Sequence, residues 1–261
     1  MSSVSSGRTR VSFENIVQRF RVIRERPDTL RETFAHIFRK RTSYYDFEAL
    51  KGISFSVSDG EAVGIIGRNG SGKSTILRVI AGVYRPSAGV VQISGKVAPL
   101  IELGAGFHPD LTGRENITLN GLLLGLSKRE IRQREEKIIE FAELGEFIDS
   151  PVKQYSTGMF MRLGFAVATE VDPDILLMDE ILAVGDTAFQ QKCLERINAF
   201  HNAGKTLFMV SHGPGSIRKY CQRALWIHDG VVRADGPPDE VLARYEELLE
   251  QPVETLAGSQ R

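Results

Sequence analysis

Eight consecutive residues, Gly67-Arg68-Asn69-Gly70-Ser71-Gly72-Lys73-Ser74, have the types and spacing that gripping a phosphate chain requires. In a Gly-x-x-x-x-Gly-Lys-Ser pattern the glycines let the backbone bend until its N–H groups point inward at phosphate oxygens, and a helix beginning there adds its partial positive charge. The Lys73 ammonium is expected to neutralise β- and γ-phosphates, and the Ser74 hydroxyl to ligate Mg²⁺. Thr75, next in the chain, is counted with the loop, and the expected ligands are ATP and Mg²⁺. A second chemical pair stands far downstream. Asp179 closes the apolar run Ile175-Leu176-Leu177-Met178, where it is expected to hold Mg²⁺ through water, and Glu180 follows it as the candidate general base that polarises an attacking water.

These groups work only if elements of the right kind present them. The run Ala62-Val63-Gly64-Ile65-Ile66 reads as a buried strand leading into the loop, and Lys73 to Ala81 as the helix leaving it, which is the order phosphate binding requires. Arg85 to Gly89 turns the chain into a strand over Val90 to Ile93. Two capping boxes, Thr112-Gly113-Arg114-Glu115 and Ser127-Lys128-Arg129-Glu130, predict helices through roughly Leu124 and Leu144. From Ile175 the pattern alternates: apolar strand, a helix around Phe189 to Phe200, then the strand Thr206 to Val210. Continuous β-rich runs between helices predict a buried, mostly parallel sheet in an α/β fold.

Before this core, strands are expected near Val11 to Val17 and Ile53 to Val57. Between them the stretch 19–41 carries eight Arg or Lys against three acids, with Leu30, Phe34, Ile37 and Phe38 at helical spacing, and predicts a basic amphipathic helix. Such a helix packs on its own domain with a solvated face, or lies against anionic headgroups or a membrane partner; the sequence leaves both open.

Composition excludes several classes. With 261 residues, 42% hydrophobic and 25% charged, the chain reads as one large globular unit. Its 33 basic and 33 acidic residues balance, so it lacks the overall charge of a nucleic-acid binder. Cys193 and Cys221 follow no metal-ligand spacing, and no segment is apolar for long enough to span a bilayer. A membrane role would need a partner to hold the chain there.

The order of these motifs, with Tyr155-Ser156-Thr157-Gly158-Met159 between loop and Asp179, resembles the ATP-binding cassette (ABC) proteins from about Val11 to Ala243. By itself Ser156 is a helix cap. In the resemblance, Ser156, Thr157, Gly158 and Met159 form the signature that caps a γ-phosphate bound on a second copy, ahead of a helix over Phe160 to Thr169. The resemblance further implies that His212, after Val210-Ser211, contacts γ-phosphate, and that Ala183-Val184-Gly185-Asp186 links two nucleotide sites through Asp186. It implies an aromatic on adenine, Tyr44 first and Tyr45 next, though both also suit ordinary packing. Where transporter cassettes carry a metal-reaching glutamine this chain has Glu102, expected to substitute for it.

The segment Glu102 to Pro109, the signature variant and the long basic stretch together are similar to the ATPases of bacterial polysaccharide exporters, of O-antigen, teichoic-acid or capsule type. The resemblance implies a core parallel sheet with an N-terminal antiparallel β subdomain and a helical subdomain at about 112–170. The expected division is a tail over 1–10, a cassette over 11–245 and a tail over 246–261, with no room for an appended carbohydrate-binding domain. Expected partners are a second copy in a head-to-tail ATP sandwich and a multispanning permease that handles the lipid-linked glycan at the cytoplasmic face of the membrane. A soluble cassette ATPase acting on ribosomes or DNA, and a metabolic P-loop kinase, are the competing readings; the kinase leaves Ser156 to Met159 unexplained.

Overall fold

The computed structural model describes residues 8–23, 44–101, 103–179, 185–211 and 213–250. A six-stranded sheet forms the centre, from β3 (Ala62–Ile66), β5 (Val97–Pro99), β6 (Ile175–Asp179), β7 (Thr206–Val210), β8 (Arg223–His228) and β9 (Val231–Gly236), in the order β5-β6-β7-β3-β8-β9. The neighbours from β5 to β8 run parallel and β9 closes the edge antiparallel to β8. A separate antiparallel sheet has the order β2-β1-β4, from β1 (Thr9–Ile23), β2 (Tyr44–Ser58) and β4 (Ala88–Ile93). Seven helices among the described residues complete the fold: α1 (Lys73–Ile80), α2 (Gly113–Leu123), α3 (Lys128–Ala142), α4 (Thr157–Glu170), α5 (Thr187–Asn202), α6 (Pro214–Tyr220) and α7 (Pro238–Glu250).

Strand alternation divides the interior into layers. Ile175 and Leu177 of β6 join Val63, Ile65, Phe208, the α1 residues Ile76 and Leu77, and the inner face of the antiparallel sheet through Val11, Phe13, Leu50 and Phe55. Leu176 and Met178 point the other way, into a second core with Phe165 of α4 and Phe189 and Cys193 of α5. Each fully buried side chain of this size contributes roughly 1.5–3 kcal/mol. Helices α2 to α4 enclose a third apolar cluster around Ile117, Ile131, Ile138 and Leu163. Both capping boxes are formed, each serine or threonine hydroxyl accepting the N–H that its glutamate reciprocates.

The N-terminal strands are much longer than the sequence suggested. They pair from Thr9↔Ser58 to Ile23↔Tyr44, so 19–23 belongs to β1 rather than to a basic helical insert. Asn15, at φ 52°, breaks the alternation of β1 at a bulge. Arg19 and Arg21 face acids across the ladder, Arg19 to Glu48 at 2.7 Å and Arg21 to Asp46 at 3.4 Å. The expected helical residues Leu30, Phe34, Ile37 and Phe38 lie outside the described residues. The tails also differ: β1 starts at Thr9, and α7 runs to Glu250 while its Glu246 meets Arg218 of α6 at 3.4 Å.

Candidate functional site

Register aligns the strand ends that matter. Ile65 of β3 pairs with Val210 of β7, and Val210 pairs with Asp179 of β6. The loop after Ile66, the segment after Asp179 and Ser211 therefore leave the sheet along one carboxyl edge, at intervals of about 4.8 Å per strand, where open parallel sheets bind ligands.

At that edge Gly72, at φ 110°, turns the loop into α1; a methyl group there would sit 2.8 Å from the Ala49 carbonyl oxygen. Lys73 is only 5% exposed, and its Nζ donates to the carbonyl oxygens of Gly67 at 2.7 Å and Arg68 at 3.0 Å. The Ser74 hydroxyl lies 3.3 Å from Asp179 Oδ2, which accepts from it. The Ser71 hydroxyl is buried with no partner. Asn69, Gly70, Gly72, Lys73, Ser74, Thr75 and Asp179 line a cleft of about 420 Å³.

That cleft suits a phosphate chain: a buried ammonium and the start of a helix both favour anionic oxygen. The pair Ser74–Asp179 offers the hard oxygens that Mg²⁺ takes. Among the described residues no cluster of three His, Cys, Asp or Glu surrounds it.

The opposite wall is aromatic, but it is not formed by Tyr44. Phe20 and Phe47, directly paired across β1 and β2, line the cleft beside Ala49. Tyr44 pairs with Ile23 farther along the ladder and is 53% exposed; neither it nor Tyr45 lines the cleft. The sequence signal for this pair is the period-two run Phe20-x-Val22.

Ser156 caps α4, its hydroxyl accepting from the Met159 N–H at 3.2 Å, so the helix starts at Thr157 rather than Phe160. Ser156, Thr157, Gly158 and Met159 line a second cleft with Arg162, Gly185 and Asp186. Asp186 caps α5 by accepting from the Phe189 N–H at 2.9 Å. That amide, with the Arg162 guanidinium, holds the Asp186 carboxyl below the usual carboxylate range.

Arg162, which the sequence did not mark, ties this half together. It donates to Asp186 at 2.7 Å and to Glu143 at 3.0 Å, and its guanidinium lies 4.8 Å from the Phe189 ring centre. Ser156, Met159 and Arg162 stand at intervals of three along α4, on one helical face. The two clefts share no residue.

Glu102, Glu180 and His212 lie outside the described residues, as do Ala183 and Val184. Cys193 and Cys221 are buried, and burial pushes both thiols up to about 12, which leaves them unreactive. Among the described residues no helix is long and apolar enough to cross a membrane.

Residues 50–183 match the family described as ABC transporter. The chain is 55% identical over 201 residues to the O-antigen export system ATP-binding protein RfbB of Myxococcus xanthus, a match covering 77% of this chain and 46% of that one. It is 51% identical over 201 residues to the protein of the same name from Klebsiella pneumoniae, covering 77% and 82%. The fold superposes on a dimeric ATP-binding cassette solved in a post-hydrolysis state with ADP and Pi, at TM-score 0.66 and 24% identity, over 87% of this chain and 98% of that one. A phosphate loop aligned with Asp179 at one sheet edge, a capped signature helix on another cleft, and a family match over half the chain lead to one assignment: the chain belongs to the ABC transporter family.

Proposed function

We propose that this chain is the ATP-hydrolysing subunit of an exporter that moves a lipid-linked polysaccharide across the cytoplasmic membrane. The observation that carries the ATPase reading is the separation of the two clefts within one chain. A triphosphate seated on Lys73 and Ser74 meets Ser156 to Met159 only if a second copy presents them, so two chains stacked head to tail make two complete sites. The likeness to RfbB, whose name describes O-antigen export, supports the cargo.

When bound, ATP supplies the phosphoanhydride bond and Mg²⁺ the charge neutralisation that makes it hydrolysable. Within the chain, Lys73 and the loop amides would bind and orient the phosphates, and Ser74 and Asp179, with Glu102, would hold the metal. Glu180 accepts the proton of the attacking water, and His212 donates toward the γ-phosphate. Across the dimer, Ser156 and Gly158 close the site, while Asp186, held by Arg162, connects one site to the other. Phe20 and Phe47 take the adenine in place of Tyr44.

The chain would then sit at the cytoplasmic face of the membrane, held by a multispanning partner. Purification from membranes tests this: the chain is expected to co-purify with a multispanning membrane protein, and recovery with ribosomes or DNA instead would overturn the exporter assignment.

A further inference from the structure

The phosphate loop and the strand carrying Phe47 are tied together by a turn at the far end of the sequence. Asp229 and Gly230, at φ 49° and 78°, form the two-residue turn that joins β8 to β9. The Gly230 N–H donates to the Ser71 carbonyl oxygen of the loop at 3.1 Å, and the Gly230 carbonyl oxygen accepts from the Lys51 N–H of β2 at 2.8 Å. A side chain has no room there: a methyl on Gly230 would lie 2.8 Å from the Ala49 carbonyl oxygen, the same atom that a methyl on Gly72 of the loop would meet at 2.8 Å. Just before the turn, the Ile227 carbonyl oxygen stands where a methyl on Gly67 would have to go, so β8 also backs the start of the loop.

These contacts leave little slack. β2 is the edge strand of its sheet, bonded on one side to β1, and Lys51 turns its N–H outward to Gly230. Along the same strand, Phe47 and Ala49 face the cleft. Loop and aromatic wall belong to segments that share no sheet; besides the core that Leu50 shares with Ile76 and Leu77 of α1, they meet at the contact of Gly72 with Ala49 and at this turn. Neither link involves a side chain that touches the cleft.

We infer that Gly230 is a positioning residue for ATP, whose turn sets the distance between the phosphate loop and the aromatic wall formed by Phe20 and Phe47. The inference rests on the reading of those two rings as the adenine platform. It differs from a role in shaping the loop itself, because a ligand that fills only the loop is indifferent to where the wall stands.

Lys51→Pro separates the two roles. It deletes the outward N–H on an edge strand, where proline is tolerated, and leaves the bond between Gly230 and Ser71 in place. In the full chain the ATP Kd and KM are expected to rise about fivefold, the effect of one hydrogen bond, with kcat and the Kd for inorganic tripolyphosphate changed by less than about twofold. Unchanged ATP affinity, or an equal loss for ATP and tripolyphosphate, would overturn the inference. Should Lys51→Pro show no cooperative melt, Gly230→Ala, which keeps every backbone donor, must give a larger loss for ATP than for tripolyphosphate, and an equal loss overturns it. Phe47→Ala is the control: if it leaves ATP affinity unchanged the platform reading fails, whereas a loss in Phe47→Ala with none in Lys51→Pro defeats the positioning role alone.

Discussion

Lys73→Ala is expected to lower ATP turnover by roughly 10²–10³-fold, the range for removing a preorganised group that faces developing charge. The side chain is buried at the start of α1 and bonded to the carbonyl oxygens of Gly67 and Arg68, which hold its ammonium against the loop. Removing it leaves the helix start and the loop amides but takes away the one full positive charge among the described residues lining the cleft. The fold should tolerate the change, since Ile76, Leu77 and Ile80, not Lys73, join α1 to the core. Steady-state phosphate release and nucleotide titration check this together; loss of activity with an unchanged melting temperature is the expected pair of results.

Glu180→Gln is expected to slow hydrolysis by about 10²–10⁴-fold, the usual contribution of a general base, while ATP binding is kept. Glutamine matches glutamate in size and still accepts a hydrogen bond, but it takes no proton from water. Lys73, Ser74 and Asp179 remain to bind the nucleotide. With binding intact and turnover stopped, two copies should stay joined around ATP, and gel filtration with ATP should show a dimer that the unaltered chain forms only briefly. Hydrolysis at the original rate by this variant would remove Glu180 from the mechanism.

What could be read from residues alone follows from how local each constraint is. The elements that carry the phosphate loop, Asp179 and Ser156 were legible because each depends on neighbours in the chain: an apolar strand, a turn, a helix start. The aromatic wall was not, since the bulge at Asn15 interrupts the alternation ahead of Phe20 and its partner Phe47 stands on another strand. Arg162 was missed for a different reason. Its partners, Glu143 and Asp186, cap two other helices, so nothing near it in sequence marks it. Gly230 is further out of reach, because both of its bonds run through backbone atoms to β2 and to the loop, contacts that leave no side-chain pattern. The core alternation in β6, by contrast, can be read directly once its two faces are known to be covered.

The central claim is that each catalytic site is shared between two copies, and mixing two defective variants tests it most directly. One carries Lys73→Ala. The other carries Gly158→Asp, which places a carboxylate in the signature cleft; a Cβ at Gly158 meets nothing nearer than the Ser156 hydroxyl at 3.8 Å, and an acid in a first helical turn is favourable, so the chain should fold. Each variant alone should be nearly inactive. In a mixed dimer one site combines both lesions and the other has an intact phosphate loop facing an intact signature, so an equal mixture should recover roughly a quarter of the unaltered rate if chains pair at random and the two sites turn over independently. Activity that stays at the level of the separate variants at every mixing ratio would contradict the shared site.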